Sequence, residues 1–587
     1  MTSWHTPSRV WASGPWSLAL RGDEFADIAF EGRTVLRSVR AVVRDRDWDT
    51  ATLVVDRASE TPSTLTLHVR SSGLGSSFAG IVRVEARGAD RLDIVCDLES
   101  RQAFATNRTG LVVLHPPHLA DAPLRVAHAG GRVTRTAFPR AISPHQPVFD
   151  IAGLAWLDED LEVSTTFDGD VFEMEDQRNW TDASYKTYSR PLDLPFPYDI
   201  TAGERVRQSV SLRARRTSAP RTASATPDRI VLRTDGGFPQ IGVGAASAPD
   251  PAPVHAPIGS HVLVELDLTS PNWRTALARA ASAGLPLDVR FVVDPTAETT
   301  LQAGAAALVG HDVIRVAAFH QVSDARHVSD AAVVTELRAA LAAAGIHAPV
   351  VGGSRSHFTE LNRERHRMPD DLDGLAVSVT PLFHALGSEQ LRESVAMQRL
   401  VARQSVELAH GMPVHIGPIT LRPRFNDVAT GPQPAPDRAD LRDGYGAEFT
   451  GAVDERQPTQ ELAAWSVASA AALAVPGVAS LTFFEEWGPR GIHSSSGAPL
   501  PTAHALRALD ALDGGRLLTG DSPDGLVWAI GVVSDRPTEA SRPATVLVAN
   551  IDLRERTLTI ETPIGTASVV LPALSWAETT LDRRTLG

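Results

Sequence analysis

HVLVELDLTSPNWRTALARAASAGLPLDVRFVV, residues 261–293, is the stretch on which the fold turns. HVLVELDL (261–268) is a short apolar run rich in β-branched residues. NWRTALARAASAG (272–284) is alanine-rich, places its apolar residues at helical spacing and stops at a glycine. PLDVRFVV (286–293) is a second short β run. Strand, helix and strand joined by short turns make a βα unit, and repetition of that unit builds a parallel sheet.

The alternation continues on both sides of this stretch. Further β runs are FPQIGVG (238–244), VIRVAAF (313–319), APVVGGS (348–354), GLAVSVT (374–380), PVHIGPITL (413–421) and ASLTFFE (479–485). Helical segments lie at 330–345, 388–411, 461–475 and 502–515. Eight strands alternating with helices predict a (β/α)8 TIM barrel over residues 228–510. The first crossover, PDPAPVHAP (249–257), shows no helical pattern.

The flanks read differently. From Trp16 to about Arg213, runs such as TLTLHVR (64–70), GIVRVEAR (80–87) and RLDIVCDL (91–98) alternate between Gly, Pro, Asp and Asn turns. Many short strands predict a β-sandwich, here a large supersandwich over residues 1–220. A Ser-, Thr- and Pro-rich linker (214–228) follows it. LVWAIGVV (526–533), ATVLVANI (544–551), TLTIETP (557–563) and TASVVLP (566–572) predict a small β domain over residues 516–587.

Composition narrows the function. A net charge of −14 gives no global electrostatic reason to bind nucleic acid or an anionic membrane. No apolar run reaches the roughly 20 residues of a membrane-spanning helix, and no signal-peptide core opens the chain, so the expectation is a cytoplasmic protein. The single cysteine, Cys96, reads as a small buried hydrophobe, with no disulfide or cysteine-rich zinc site available. Nothing in the pattern points to an oligomeric state.

A barrel of this type carries its chemistry at the C-terminal ends of its strands. That rule selects His320 after the fourth strand. After the fifth it selects His357, Glu360, Asn362 and Arg363 in SRSHFTELNRERH, and after the sixth His384. His415, Arg422, Arg424 and Asn426 belong to the seventh strand and its loop. Glu485, Glu486 and Arg490 follow the eighth. Two carboxylates across the mouth, Glu360 and one of the adjacent pair Glu485 and Glu486, can divide acid and base roles when their environments differ. Strand alternation turns only one of that adjacent pair inward. The histidines show no metal-ligand spacing, and GxSxG and P-loop motifs are lacking. No metal and no cofactor is expected.

EMEDQRNWTDASYKTY (173–188) is the other chemically dense segment. It holds the one lysine of a chain with 56 Lys and Arg in total, Lys186, and two of its four tyrosines, Tyr185 and Tyr188. Lysine is a compact point charge and arginine a planar fork, so a lone lysine among arginines marks a contact that a guanidinium does not fit. Arg178, Asn179, Asp182, Tyr185 and Lys186 are read as binding a polyol from a loop that reaches over the mouth. His320, Asn362, His415, Arg422 and Arg490 are read as binding it from the barrel side.

GLVVLHP (110–116), FPRAISPHQPVFDI (138–151), DQRNWTDASYKTY (176–188), PLDLPFPY (191–198) and a strand ending Phe-Glu before Gly-Pro-Arg-Gly together resemble the D-apionate lactonases. The resemblance runs the whole length of the chain. It implies a hydrolase that opens D-apionolactone to D-apionate in bacterial apiose catabolism. Glu485 stands at the position matching the family's Phe-Glu. On this reading one glutamate activates water, the other shuttles a proton to the ring oxygen, and Lys186, Arg178 or Asn179 stabilises the oxyanion. The partner is a small sugar lactone or sugar acid. The alternatives from the residues alone are a two-glutamate glycoside hydrolase on the same plan, and a carbohydrate-binding protein without catalysis.

Overall fold

The computed structural model describes residues 4, 5, 7–217, 228–294, 300–320, 327–428, 437–445, 452–533 and 543–581. Most of the linker expected at 214–228 lies outside these residues.

The N-terminal domain is a 16-stranded antiparallel sheet with a two-stranded one, Tyr198–Ile200 paired with Phe104–Thr106. Its strands follow the period-2 rule: in Thr64–Gly73, Leu65, Leu67 and Val69 turn inward while Arg70 faces water. A single apolar core draws on both ends of the strand path, from Trp16 and Phe25 to Leu67 and Val82, so the sheet folds over itself as a sandwich. Cys96 is fully buried in this core.

Eight parallel strands form the barrel. They are β1 (Gln240–Gly244), β2 (Val262–Asp267), β3 (Leu287–Val293), β4 (Val313–His320), β5 (Val351–Ser354), β6 (Gly374–Val379), β7 (Val414–Ile419) and β8 (Val478–Trp487). β1 pairs with β8, and the seam between β4 and β5 is closed by a parallel bridge from Val316 to Val350. Helices follow β2 through β8: α1 (Trp273–Ala281), α2 (Leu301–Ala307), α3 (Ala331–Ala343), α4 (Phe358–Glu364), α5 (Ser388–Ala409), α6 (Gln460–Leu473) and α7 (Pro501–Asp510). The β1–β2 crossover has no helix, in keeping with its Pro-rich sequence. Among the described residues no helix is long and apolar enough to cross a membrane.

The C-terminal domain is a five-stranded and a three-stranded sheet. One boundary is corrected here. Residues 229–237 fall inside the range expected for the barrel, 228–510, but form the strands Arg229–Val231 and Arg233–Gly237 of these sheets, pairing with Arg556–Glu561 and Arg516–Thr519. α6 is apolar all round because it lies between the barrel and the C-terminal sheet, against Val527–Val533 and Ala544–Asn550. The N-terminal domain is fastened to the barrel by side chains distant in sequence. Trp4 packs in the barrel core and its indole donates to Thr459 at 2.8 Å. Ile142 joins the same core and exchanges backbone bonds with Gln404 of α5.

Candidate active site

Short β5 delivers Arg355, Ser356 and His357 to the C-terminal mouth. Glu265, near the end of β2, receives Arg355 and, at 3.2 Å, Arg424 from the loop after β7. Burial opposes ionisation of Glu265, but Arg355 and then Arg424 hold its carboxyl far below the usual range. Both guanidiniums also lie over the Phe425 ring.

Beside this ion cluster stands Glu360, in the first turn of α4. It accepts the Ser356 hydroxyl at 2.7 Å and the His357 backbone N–H at 3.1 Å. Burial and then the charge of Asp427 push its pKa up to about 7. His357 Nε2 is 3.6 Å from Asp427, and burial presses the imidazole down to about 4. The mouth therefore holds a partly accessible carboxyl that titrates near neutrality, beside a neutral histidine and a second carboxylate.

At the end of β8 a bulge precedes the two adjacent glutamates. Phe484 takes a left-handed φ of 47°, and the register with β1 shifts there, so Glu485 pairs with Gly244 at the rim. Glu485 accepts from the Ser247 N–H at 3.0 Å and hydroxyl at 2.9 Å, and its partner Arg490 lies 3.0 Å away. Glu486 is turned the other way and is only 4% exposed. Burial raises its pKa to about 7, while the Ala246 N–H opposes the rise.

The segment 173–188 lies across this mouth. Trp180 stacks on Phe383 in the loop after β6, with ring centres 5.9 Å apart and planes at 7°. Asp182 meets His384 Nδ1 at 2.8 Å, and Asn179 accepts from Asn362 of α4 at 3.0 Å. Burial, opposed chiefly by Arg37, pushes Asp182 up to about 8. Burial and then the Lys186 charge drive His384 well below the usual imidazole range.

Lys186 pairs across the strands with Glu175 and sits 5.1 Å from the Tyr188 ring. Burial lowers its pKa to about 8, with Glu175 working against the shift and Arg108 adding to it. Its strand, Tyr185–Tyr188, turns Tyr185 into the sandwich core and Lys186 and Tyr188 to the opposite face.

Several expected ligands are instead structural. Arg178 is 1% exposed and its donors go to Asp176 and to the carbonyls of Pro139, Arg140 and Ala141. Tyr185 is fully buried and donates to Pro139. Asn179 and Asn362 bond each other, Ser143 and Ile142. Arg178 and Tyr185 brace the N-terminal domain internally, Asn179 and Asn362 clasp it to the barrel, and the donors of all four are engaged. His415 is corrected more strongly. It lies at the N-terminal end of β7, 2.9 Å from Ser480, in a closed network with Arg315, Asp288 and His261. Burial and then Arg315 press it down to about 3. His320 is at the rim of β4 against Asp330 at 3.2 Å, and Arg422 donates to Asp454 at 2.8 Å.

Glu265, Arg355 and Asp427 escaped the sequence reading. Period-2 spacing from His261 puts Glu265 on the inner face of β2, and a charge there was the available signal. Among the described residues no three His, Cys, Asp or Glu side chains converge as metal ligands do.

A barrel mouth with a neutral-range carboxyl, opposed arginines and a roof from a second domain is the build of an enzyme for a small polar molecule. Comparison with known proteins gives the particular kind. Residues 1–217 match the family model described as D-apionate lactonase, N-terminal domain, and residues 243–514 match D-apionate lactonase, TIM barrel domain. A D-apionate lactonase of Brucella anthropi is 29% identical over 525 residues, covering 83% of this chain and 84% of the relative. The chain belongs to the D-apionate lactonase family. Among solved structures, SrfJ from Salmonella typhimurium matches at 11% identity and a TM-score of 0.37, covering 64% of this chain and 96% of its own. A GH30 endoxylanase from Clostridium papyrosolvens C71 matches at 11% identity and 0.38, covering 60% of this chain and 100% of its own.

Proposed function

We propose that this enzyme hydrolyses a small sugar lactone, D-apionolactone, to D-apionate in apiose catabolism, at the chamber between the barrel mouth and the face of the N-terminal sheet. The observation that carries the reading is Glu360: a carboxyl at the mouth of a lactonase-family barrel, titrating at about 7. As a carboxylate it takes a proton from water as the water attacks the lactone carbonyl. As the resulting acid it returns that proton to the departing ring oxygen. The Lys186 ammonium stabilises the oxyanion that forms between these steps. Arg178 and Asn179 are withdrawn from that role because their donors are engaged. Glu485, already bound to Ser247 and Arg490, is reassigned from proton shuttling to holding a substrate hydroxyl.

Hydrolysis then needs Glu360 deprotonated and Lys186 protonated. The rate should fall below pH about 7 and again above about 8, a narrow bell. The test is a pH-stat assay with D-apionolactone, D-glucono-1,5-lactone and p-nitrophenyl glycosides side by side. Acid release from D-apionolactone with the highest kcat/KM is expected. Nitrophenol release from the glycosides with no acid release from either lactone would replace the reading with a glycoside hydrolase, and binding without turnover would replace it with a carbohydrate-binding protein.

A further inference from the structure

Arg44 and Arg108 are unusual even in so arginine-rich a chain. They end and begin the antiparallel strands Arg33–Arg44 and Arg108–His115 and stand directly opposite each other in the register. Like charges so opposed repel across the ladder. Arg108 is 3% exposed, and the Nε atoms of both are buried without a hydrogen-bond partner. Among the described residues neither guanidinium forms an ion pair. Of the neighbouring carboxylates, Glu175 pairs with Lys186, Asp182 meets His384, and Glu173 binds the Tyr188 hydroxyl and the Leu192 N–H through Oε1, its Oε2 being buried without a partner.

Two rings stand in for an anion. The Arg108 guanidinium lies 3.6 Å above the Tyr188 ring and 5.1 Å from Trp48. Such contacts return less than a desolvated charge forfeits. Burial, with Arg108 next, pushes the Arg44 pKa down to about 10, so the arrangement costs stability as it stands.

The pair is also in the right place. Lys186, Arg44 and Arg108 all act on the His384 imidazole. The turn carrying Trp48 is tied to the loop after β7 by the Asn426 amide, which donates to the Asp47 carbonyl at 3.3 Å. Arg108 and Lys186 lie against the same Tyr188 ring, so the arginine pair stands beside Lys186 on the part of the N-terminal sheet that meets the barrel loops.

We propose that Arg44 and Arg108 form a carboxylate subsite for the sugar acid that lactone opening produces, with the half-buried Trp48 against its carbon chain. It rests on the lactonase reading only for the origin of the anion. Hydrolysis turns a neutral ester into a carboxylate, and two guanidinium forks meet a carboxylate with paired, charge-assisted hydrogen bonds. The product should then be held more tightly than the neutral substrate, and release of the acid should contribute to turnover time.

The probes are sodium D-apionate and its uncharged reduced analogue D-apiitol, titrated calorimetrically into the full chain at pH 7.5. D-apionate should bind about 10–100-fold more tightly than D-apiitol, weaken as NaCl is raised, and lose most of that advantage in Arg108→Gln and Arg44→Gln. Arg44 is the more accessible of the two. If the Arg108 variant does not fold, the Arg44 variant and the salt series on the unaltered protein decide. Equal affinity for acid and alditol, tighter binding of inorganic phosphate than of D-apionate, or wild-type affinity in a folded arginine variant overturns the subsite. Binding of D-apionate that depends on both arginines, with no lactone turned over, would keep the subsite and overturn the substrate assignment instead.

Discussion

The two ends of the barrel hold the same residue types in opposite conditions. At the N-terminal end His261, Asp288, Arg315, His415 and Ser480 bond one another in a closed set. Burial presses both histidines down to about 3, and Arg315 and Arg290, against burial, hold Asp288 at about 2. None of these groups changes charge near neutral pH. At the C-terminal end Glu360 titrates at about 7, and the roof above it brings Lys186 at about 8. A polar cluster inside a barrel thus marks a reaction site only where a group can still exchange a proton in the working range and a ligand can reach it.

The division is open to challenge by substitution. Glu360→Gln keeps the bonds to Ser356 and His357 within reach of an amide oxygen. It should lower kcat by about 10²–10⁴ and abolish the acid limb of the pH profile. A variant keeping that limb would move the base elsewhere.

Asp288→Asn, at the other end, breaks a buried ion pair with Arg315. A loss of about 3–5 kcal/mol in denaturant unfolding is expected, with kcat of the folded fraction nearly unchanged. Loss of kcat without loss of stability would erase the contrast between the ends.

Lys186→Arg keeps the charge and changes its shape. About 10–10²-fold should be lost in kcat, and the alkaline limb near 8 should move upward. A fall in melting temperature that tracks the activity loss would demote Lys186 to a partner of Glu175.

Glu486→Gln sharpens the comparison within one strand. Its carboxyl, raised from 4.5 to about 7, keeps in the folded state a proton that the unfolded chain releases. Its contribution therefore turns unfavourable as pH rises from about 4.5 to about 7 and stays so above. The glutamine variant should match the parent at pH 4.5 and exceed it by about 1–3 kcal/mol at pH 8. An equal difference at both pH values would refute the assignment.

The barrel was legible because short apolar β runs alternate with alanine-rich helical runs along the chain. The missing crossover helix was legible in PDPAPVHAP for the same reason. Arg229–Gly237 was not, because the strands that claim it lie some 300 residues further along the chain. Within the site, Glu360 could be read from the rule that βα loops carry chemistry. The pairing of Glu265 with Arg355 and Arg424 could not, since it exists only once β2, β5 and the loop after β7 are brought together. The segment 176–188 stood out for its rare residues, yet Arg178 and Tyr185 brace its own domain and Asn179 clasps that domain to the barrel. Burial selects for odd residue types as strongly as catalysis does. The choice between Glu485 and Glu486 depended on the bulge at Phe484, which alternation alone does not foresee.

The seating of Trp4 has a consequence for how the protein is made. Its indole closes on Thr459, 455 residues later in the chain, and its ring is part of the barrel core. At about 5–20 residues per second of synthesis, roughly 20–90 s pass between the appearance of the tryptophan and that of the threonine. Throughout that interval a large apolar ring lacks its berth while the N-terminal sandwich beside it can already have folded. A ribosome that pauses before Thr459 lengthens the exposure. Synonymous codon changes between the two domains should therefore alter the yield of native enzyme although no amino acid differs.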